Sequence, residues 1–139
     1  MIVLDTNIIS EAGRPSPPDL LRRWFAHQSR SDLYTTAVTE AELLLGIELM
    51  PDGKRRFETE RAYARIVERV LMGRVLAFDR SAAREFALIV FERRRIGRRI
   101  DEADAQIAAI ARAHGATLAT RNVTDFEHCG IEVVDPWSA

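Results

Sequence analysis

The chain has 139 residues, 47% of them apolar and 29% charged, with a net charge of −1. That length suits one domain, expected to span 1–139, with a core of its own, and no apolar run approaches a membrane span. A single cysteine, Cys129, excludes an internal disulfide and a cysteine-rich zinc site. The near-neutral balance provides no global basic field for nucleic acid, although Lys54-Arg55-Arg56 and Arg93-Arg94-Arg95 with Arg98-Arg99 are dense local clusters. Such clusters read first as solvated helix faces, with RNA binding or an interface as alternatives. Met1-Ile2-Val3-Leu4-Asp5 lacks a basic start and reaches a carboxylate at once, unlike a signal peptide, so a cytoplasmic protein is expected.

In chain order, Ile2-Val3-Leu4 reads as a buried strand, and Asp5, Thr6 or Asn7 caps a short helix that ends before Pro15-Ser16-Pro17-Pro18. A helix is predicted from Asp19 to Gln28, a strand at Leu33–Thr36, and a leucine-rich helix from Thr39 to Leu49, closed by Pro51-Asp52-Gly53. A charged helix follows from about Lys54 to Met72, with Phe57, Tyr63, Ile66, Val67, Val70 and Leu71 on its inner side. Val75–Phe78 is the third strand, and Asp79 or Ser81 caps a helix reaching about Arg95. Asp101 or Glu102 opens a helix that stops at His114-Gly115, followed by strands at Ala116–Ala119 and Glu132–Val134. Strands alternating with helices imply crossover connections, hence an α/β fold: a mostly parallel sheet of about five strands flanked by helices. Ligands of such sheets bind beyond the carboxyl ends of the strands, where Asp5 and the Thr120–Asp125 segment fall.

Several carboxylates stand where charge is costly. The apolar stripe Ile100, Ala103, Ile107, Ile110, Ala111 puts Asp104 on an inward face, whereas for Asp101 an N-cap role is sufficient. Asp104 is either paired with an arginine or part of a cation site. Glu42 lies among Val38, Leu45, Gly46 and Leu49, and Glu40 among Leu43, Leu44 and Ile47; the pattern does not choose between them. Gly46, one turn from Glu42, leaves room for a ligand or a close helix. Asn122-Val123-Thr124-Asp125 has the spacing of a helix cap, an entirely structural alternative to a ligand role. If these acids converge, their repulsion requires a cation, and oxygen-only ligation selects Mg²⁺ or Mn²⁺, the ions used to cut phosphodiesters.

Four segments, taken together, resemble the PIN-domain family, and its VapC and FitB-like toxins in particular. They are Ile2-Val3-Leu4-Asp5-Thr6-Asn7, Thr36 to Gly46 with Glu42, Asp101-Glu102-Ala103-Asp104, and Ala119-Thr120-Arg121-Asn122-Val123-Thr124-Asp125-Phe126 with the closing Asp135-Pro136-Trp137. The resemblance implies a single α/β/α domain with an acidic pocket, in which Asp5, Glu42 and Asp104 are metal ligands and Asp125 is the fourth acid. Some FitB-like sequences have aspartate where this chain has Asn122, so either Asn122 or Asp125 completes the site. Thr6 and Thr120 match the family's supporting hydroxyls, and Asn7 and Asn122 stand beside them. The implied activity is that of a Mg²⁺- or Mn²⁺-dependent endoribonuclease, the toxin of a type II toxin–antitoxin pair. The implied partners are an RNA substrate, a cognate antitoxin and a second copy in a homodimer; operator DNA would be contacted through the antitoxin. A non-catalytic module for dimerisation or partner binding is the alternative. A phosphatase using Asp5 as nucleophile is disfavoured, because the second aspartate it would want two positions on is Asn7.

Overall fold

The computed structural model describes residues 1–138. Among these residues, strands β1 (Ile2–Leu4), β2 (Leu33–Thr36), β3 (Val75–Leu76), β4 (Thr117–Ala119) and β5 (Val133–Val134) form one sheet in the order β3-β2-β1-β4-β5, parallel throughout. Helices α1 (Thr6–Ala12), α2 (Asp19–Ala26), α3 (Ala37–Glu48), α4 (Lys54–Arg65), α5 (Arg80–Arg95) and α6 (Glu102–Ala113) supply the crossovers.

The inner strands β1, β2 and β4 are mostly buried, as parallel strands between helices must be, while the edge strands β3 and β5 are half-buried. Successive side chains on β1 and β4 alternate between two cores. Val3 and Leu118 pack with Ile89, Ile107 and Ile110 of α5 and α6. Leu4 and Ala119 pack with Ile8, Ile9, Leu21 and Trp24 of α1 and α2. The chain begins at the centre of the sheet, builds β2 and β3 to one side, then crosses over to β4 and β5. The reversal makes the carboxyl ends of β1 and β4 a topological switch point, the crevice that such sheets offer to ligands.

Several boundaries differ from the sequence expectation. The leucine-rich helix starts at Ala37 instead of Thr39, because Thr36 Oγ1 accepts the Thr39 N–H at 3.0 Å and caps it directly off β2. The charged helix ends as an α-helix at Arg65; Ile66–Val70 is one π-helical turn that brings Ile66 and Val67 into the core. Phe57, expected on the inner side, is exposed, with Arg61 over its ring at 5.7 Å. Gly46 abuts nothing: a Cβ there would meet open space, so no close helix explains it. The Arg93 cluster is not a uniform solvated face, since Arg93 is 4% exposed.

Candidate functional site

Asp5 follows β1 immediately. Its N–H donates to Ala119 O at 2.9 Å, which extends the β1–β4 ladder to the end of the crevice. At the N-cap of α1, its carboxylate accepts Thr6 N–H at 2.8 Å through Oδ1 and the Thr120 hydroxyl at 2.7 Å through Oδ2. Asn7 Nδ2 lies 3.3 Å from both Asp5 Oδ2 and Thr120 Oγ1, while Asn7 Oδ1 accepts the Arg121 N–H at 3.2 Å. The segments after β1 and β4 are therefore stitched together by side chains. These donors favour the ionised carboxylate. Burial outweighs them, and with Glu42 and Asp125 adding repulsion, the Asp5 pKa rises above its ordinary value.

The Thr36 cap sets the phase of α3 and thereby turns Glu42 towards α1, where the Thr6 hydroxyl donates to Glu42 Oε1 at 2.8 Å. Thr39 Oγ1 stands 3.2 Å from Thr6 Oγ1. Glu40 points elsewhere: it accepts the Tyr63 hydroxyl at 2.5 Å, fastening α3 to α4. The two glutamates that the sequence pattern left equivalent thus have separate environments.

Asp104 occupies the third position of α6, behind Asp101 at the N-cap. Asp101 thus stands at the N-cap position as expected, although its side chain makes no capping bond. Asp104 has no arginine partner among the described residues: Arg112 pairs with Glu85, and Arg93 donates to carbonyls. Burial, followed by repulsion from Asp5, Asp125, Asp101 and Glu42, pushes its carboxyl up to about 6. The helix N-terminus favours its charge and is outweighed.

Asp125 lies in the 3₁₀ turn Val123–Phe126, anchored by Phe126, which is almost fully buried. Asn122 stands at the N-cap of this turn without a side-chain capping bond; its N–H donates to Thr120 Oγ1 at 3.1 Å. The expected Asn122 cap is therefore not formed.

Sequence reasoning missed Arg93 as part of this frame. Its guanidinium donates to the carbonyls of Asp125 (3.0 Å), Glu127 (2.8 Å), Arg98 (2.6 Å) and Arg99 (3.0 Å). It therefore holds the Asp125 turn against the loop that leads into α6. The available signal was helical phase, since Arg93 continues the inward row of Ala82, Phe86 and Ile89.

Asp5, Glu42, Asp104 and Asp125 thus come from four separate elements and lie within electrostatic reach of one another, with neutral donors but no cation among their described partners. As the side chains stand, no three His, Cys, Asp or Glu among the described residues are grouped closely enough to ligate one ion. Asp5 and Glu42 are each held by a threonine hydroxyl, Thr120 and Thr6 respectively, whereas Asp104 and Asp125 have no such partner among the described residues. The donor set, all oxygen, suits a hard divalent cation that retains part of its water shell. Two clefts of about 420 and 400 Å³ flank α1, and Asp5, Asp104 and Asp125 line neither.

Fold and site together define a small doubly wound α/β protein with a set of carboxylates at its switch point. The PIN domain family model matches residues 2–130. The VapC ribonuclease Y4jK of Sinorhizobium fredii is 42% identical over 99% of this chain and 98% of its own. Toxin FitB of Neisseria gonorrhoeae is 36% identical over 99% of each chain. The crystal structure of FitAcB from Neisseria gonorrhoeae superposes with a TM-score of 0.88 at 35% identity, covering 100% of both chains. This chain belongs to the PIN domain family.

Proposed function

We propose that the protein is a divalent-metal-dependent endoribonuclease, the toxin of a type II toxin–antitoxin pair acting in the cytoplasm. The observation that carries this reading is the set of mutually repelling carboxylates, Asp5, Glu42, Asp104 and Asp125, gathered without a cationic partner at the ligand edge of the sheet. Carboxylates so placed destabilise the fold unless a cation neutralises them. Similarity to a VapC ribonuclease and to a toxin over nearly the whole chain supports the same reading.

Asp5, Glu42 and Asp104 would hold Mg²⁺ or Mn²⁺, with Asp125 as the fourth acid. When bound, such an ion supplies a Lewis acid for the phosphoryl oxygens and lowers the pKa of attacking water. The chain's own residues do the rest. Thr120 and Thr6 N–H orient the Asp5 carboxylate, the Thr6 hydroxyl orients Glu42, and Asn7 locks the two strand ends at a fixed separation. Asn122 is tied to Thr120 by its backbone, which leaves its side chain a supporting role and Asp125 the charge.

The inhibitory partner would be an antitoxin whose apolar side chains suit the two clefts and whose basic side chain suits the carboxylates; operator DNA would be reached through it. Leu44 and Leu45 on α3, Leu49 at its C-cap, and Leu88 and Phe91 on α5 are exposed, and fit a homodimer face. The test is cleavage of single-stranded RNA with Mn²⁺ by the wild type, Asp5→Asn and Asp104→Asn. The wild type cuts, EDTA stops it, and both variants lose at least about a hundredfold in rate while remaining folded. Equal cleavage by wild type and both folded variants would refute the assignment.

A further inference from the structure

A cluster of carboxylates repels the phosphates of the very substrate proposed for it, so a cation at its rim must seat the strand. Arg121 follows Thr120 directly, and Thr120 is the residue whose hydroxyl holds Asp5. The Arg121 backbone is itself fixed, its N–H donating to Asn7 Oδ1 at 3.2 Å. Its exposed guanidinium lies over the ring of Trp137, 4.8 Å from the centroid.

Trp137 is similarly well placed. It follows β5, whose pairing with the β4 end continues in the bond from Thr120 N–H to Val134 O at 3.0 Å. The ring packs on the Leu4 core, and its N–H end of the backbone is held by Asp135 Oδ1 at 2.9 Å. Both residues therefore stand at the carboxyl edge of adjacent strands, on the same rim as Asp5.

Stacking occupies the face of a guanidinium and leaves its in-plane N–H groups free. Arg121 has no carboxylate within ion-pair distance among the described residues, and its side chain donates no hydrogen bond there. Arg93, Arg98 and Arg112 are by contrast committed, Arg93 to carbonyls, Arg98 to Glu127 and Arg112 to Glu85. An uncommitted, pre-oriented fork of donors is what bidentate phosphate binding requires.

We infer that Arg121, held on the Trp137 ring, is a phosphate-binding residue that seats single-stranded RNA at the carboxylate cluster. The inference rests on the ribonuclease reading above and adds to it a substrate contact. Arg121→Gln sits at an exposed position and leaves the core intact; Trp137→Leu keeps apolar packing and removes the π face.

The experiment measures binding of a short fluorescein-labelled single-stranded RNA by anisotropy in Ca²⁺ over a range of KCl, and in parallel KM and kcat for its cleavage in Mn²⁺. Arg121→Gln weakens binding and raises KM about tenfold, with kcat within about twofold, and lowers the salt slope by about 0.7, the value for one phosphate contact on a single strand. Arg121→Lys restores the slope but not the full affinity, because an ammonium lacks the planar fork. Trp137→Leu shifts KM in the same direction. Wild-type binding, KM and salt slope in Arg121→Gln would overturn the inference and leave the ribonuclease reading standing. An equal loss in Arg69→Gln, an exposed arginine on the π turn, would mark a general field and overturn it too. Absence of both binding and cleavage in the wild type would remove the ribonuclease reading and this inference together.

Discussion

Asp104→Asn should stabilise the metal-free protein at neutral pH. The carboxyl titrates at about 6 in the folded chain against a reference of 3.8, because it is buried and faces Asp5, Asp125, Asp101 and Glu42. A raised folded pKa on an acid means that ionisation is disfavoured by folding. The penalty is absent below about 3.8, grows as pH rises, and is complete above about 6. A shift of about two units corresponds to about 3 kcal/mol, which solvent screening of this half-exposed carboxyl reduces to about 1–2 kcal/mol. Asparagine keeps the shape and removes the charge. In a domain of this size the gain appears as a Tm higher by about 3–8 °C at pH 7.5 in EDTA, and close to zero at pH 4. Differential scanning calorimetry of both proteins at the two pH values measures it. A variant less stable than wild type at pH 7.5, or an equal difference at both pH values, would refute the claim that these carboxylates repel one another.

Arg93→Met should cost about 3–5 kcal/mol in urea unfolding, since it strips the donors from four backbone carbonyls that hold the Asp125 turn and the loop before α6; a change below about 1 kcal/mol would contradict the frame described. Gly130→Ala should lower stability by about 1–2 kcal/mol, because Gly130 has φ +70° and a Cβ there would come within 3.2 Å of the Arg112 guanidinium. An unchanged urea midpoint would show that both the backbone and Arg112 adjust freely.

The parallel architecture was legible because each strand is an apolar run beside a helical period, and β1 ends abruptly in Asp5. Strand ends were read too long at Val75–Phe78, where pairing stops at Leu76 as Ala77 and Phe78 become exposed. The break of the charged helix at Arg65 carries no proline or glycine, and coincides with the burial of Ile66 and Val67 in the π turn that follows. At the site, Asp5 and Thr120 were readable from their place after strands. The hydrophobic pattern did not separate Glu42 from Glu40, which only the family resemblance chose between; the structure adds that Tyr63 claims Glu40, a contact between residues 23 apart. Arg93 was masked by its neighbours: in a run of three arginines, only helical phase distinguishes the buried one from Arg94 and Arg95.

The central claim is that these acids form one cation site, and calorimetric titration of Mn²⁺ into the wild type and Asp104→Asn, each alone and with a non-cleavable RNA analogue, tests it most directly. Saturable binding by the wild type, weakened at least about tenfold in a folded variant, is the predicted result. Equal binding by both proteins, or none by the wild type under either condition, would contradict it.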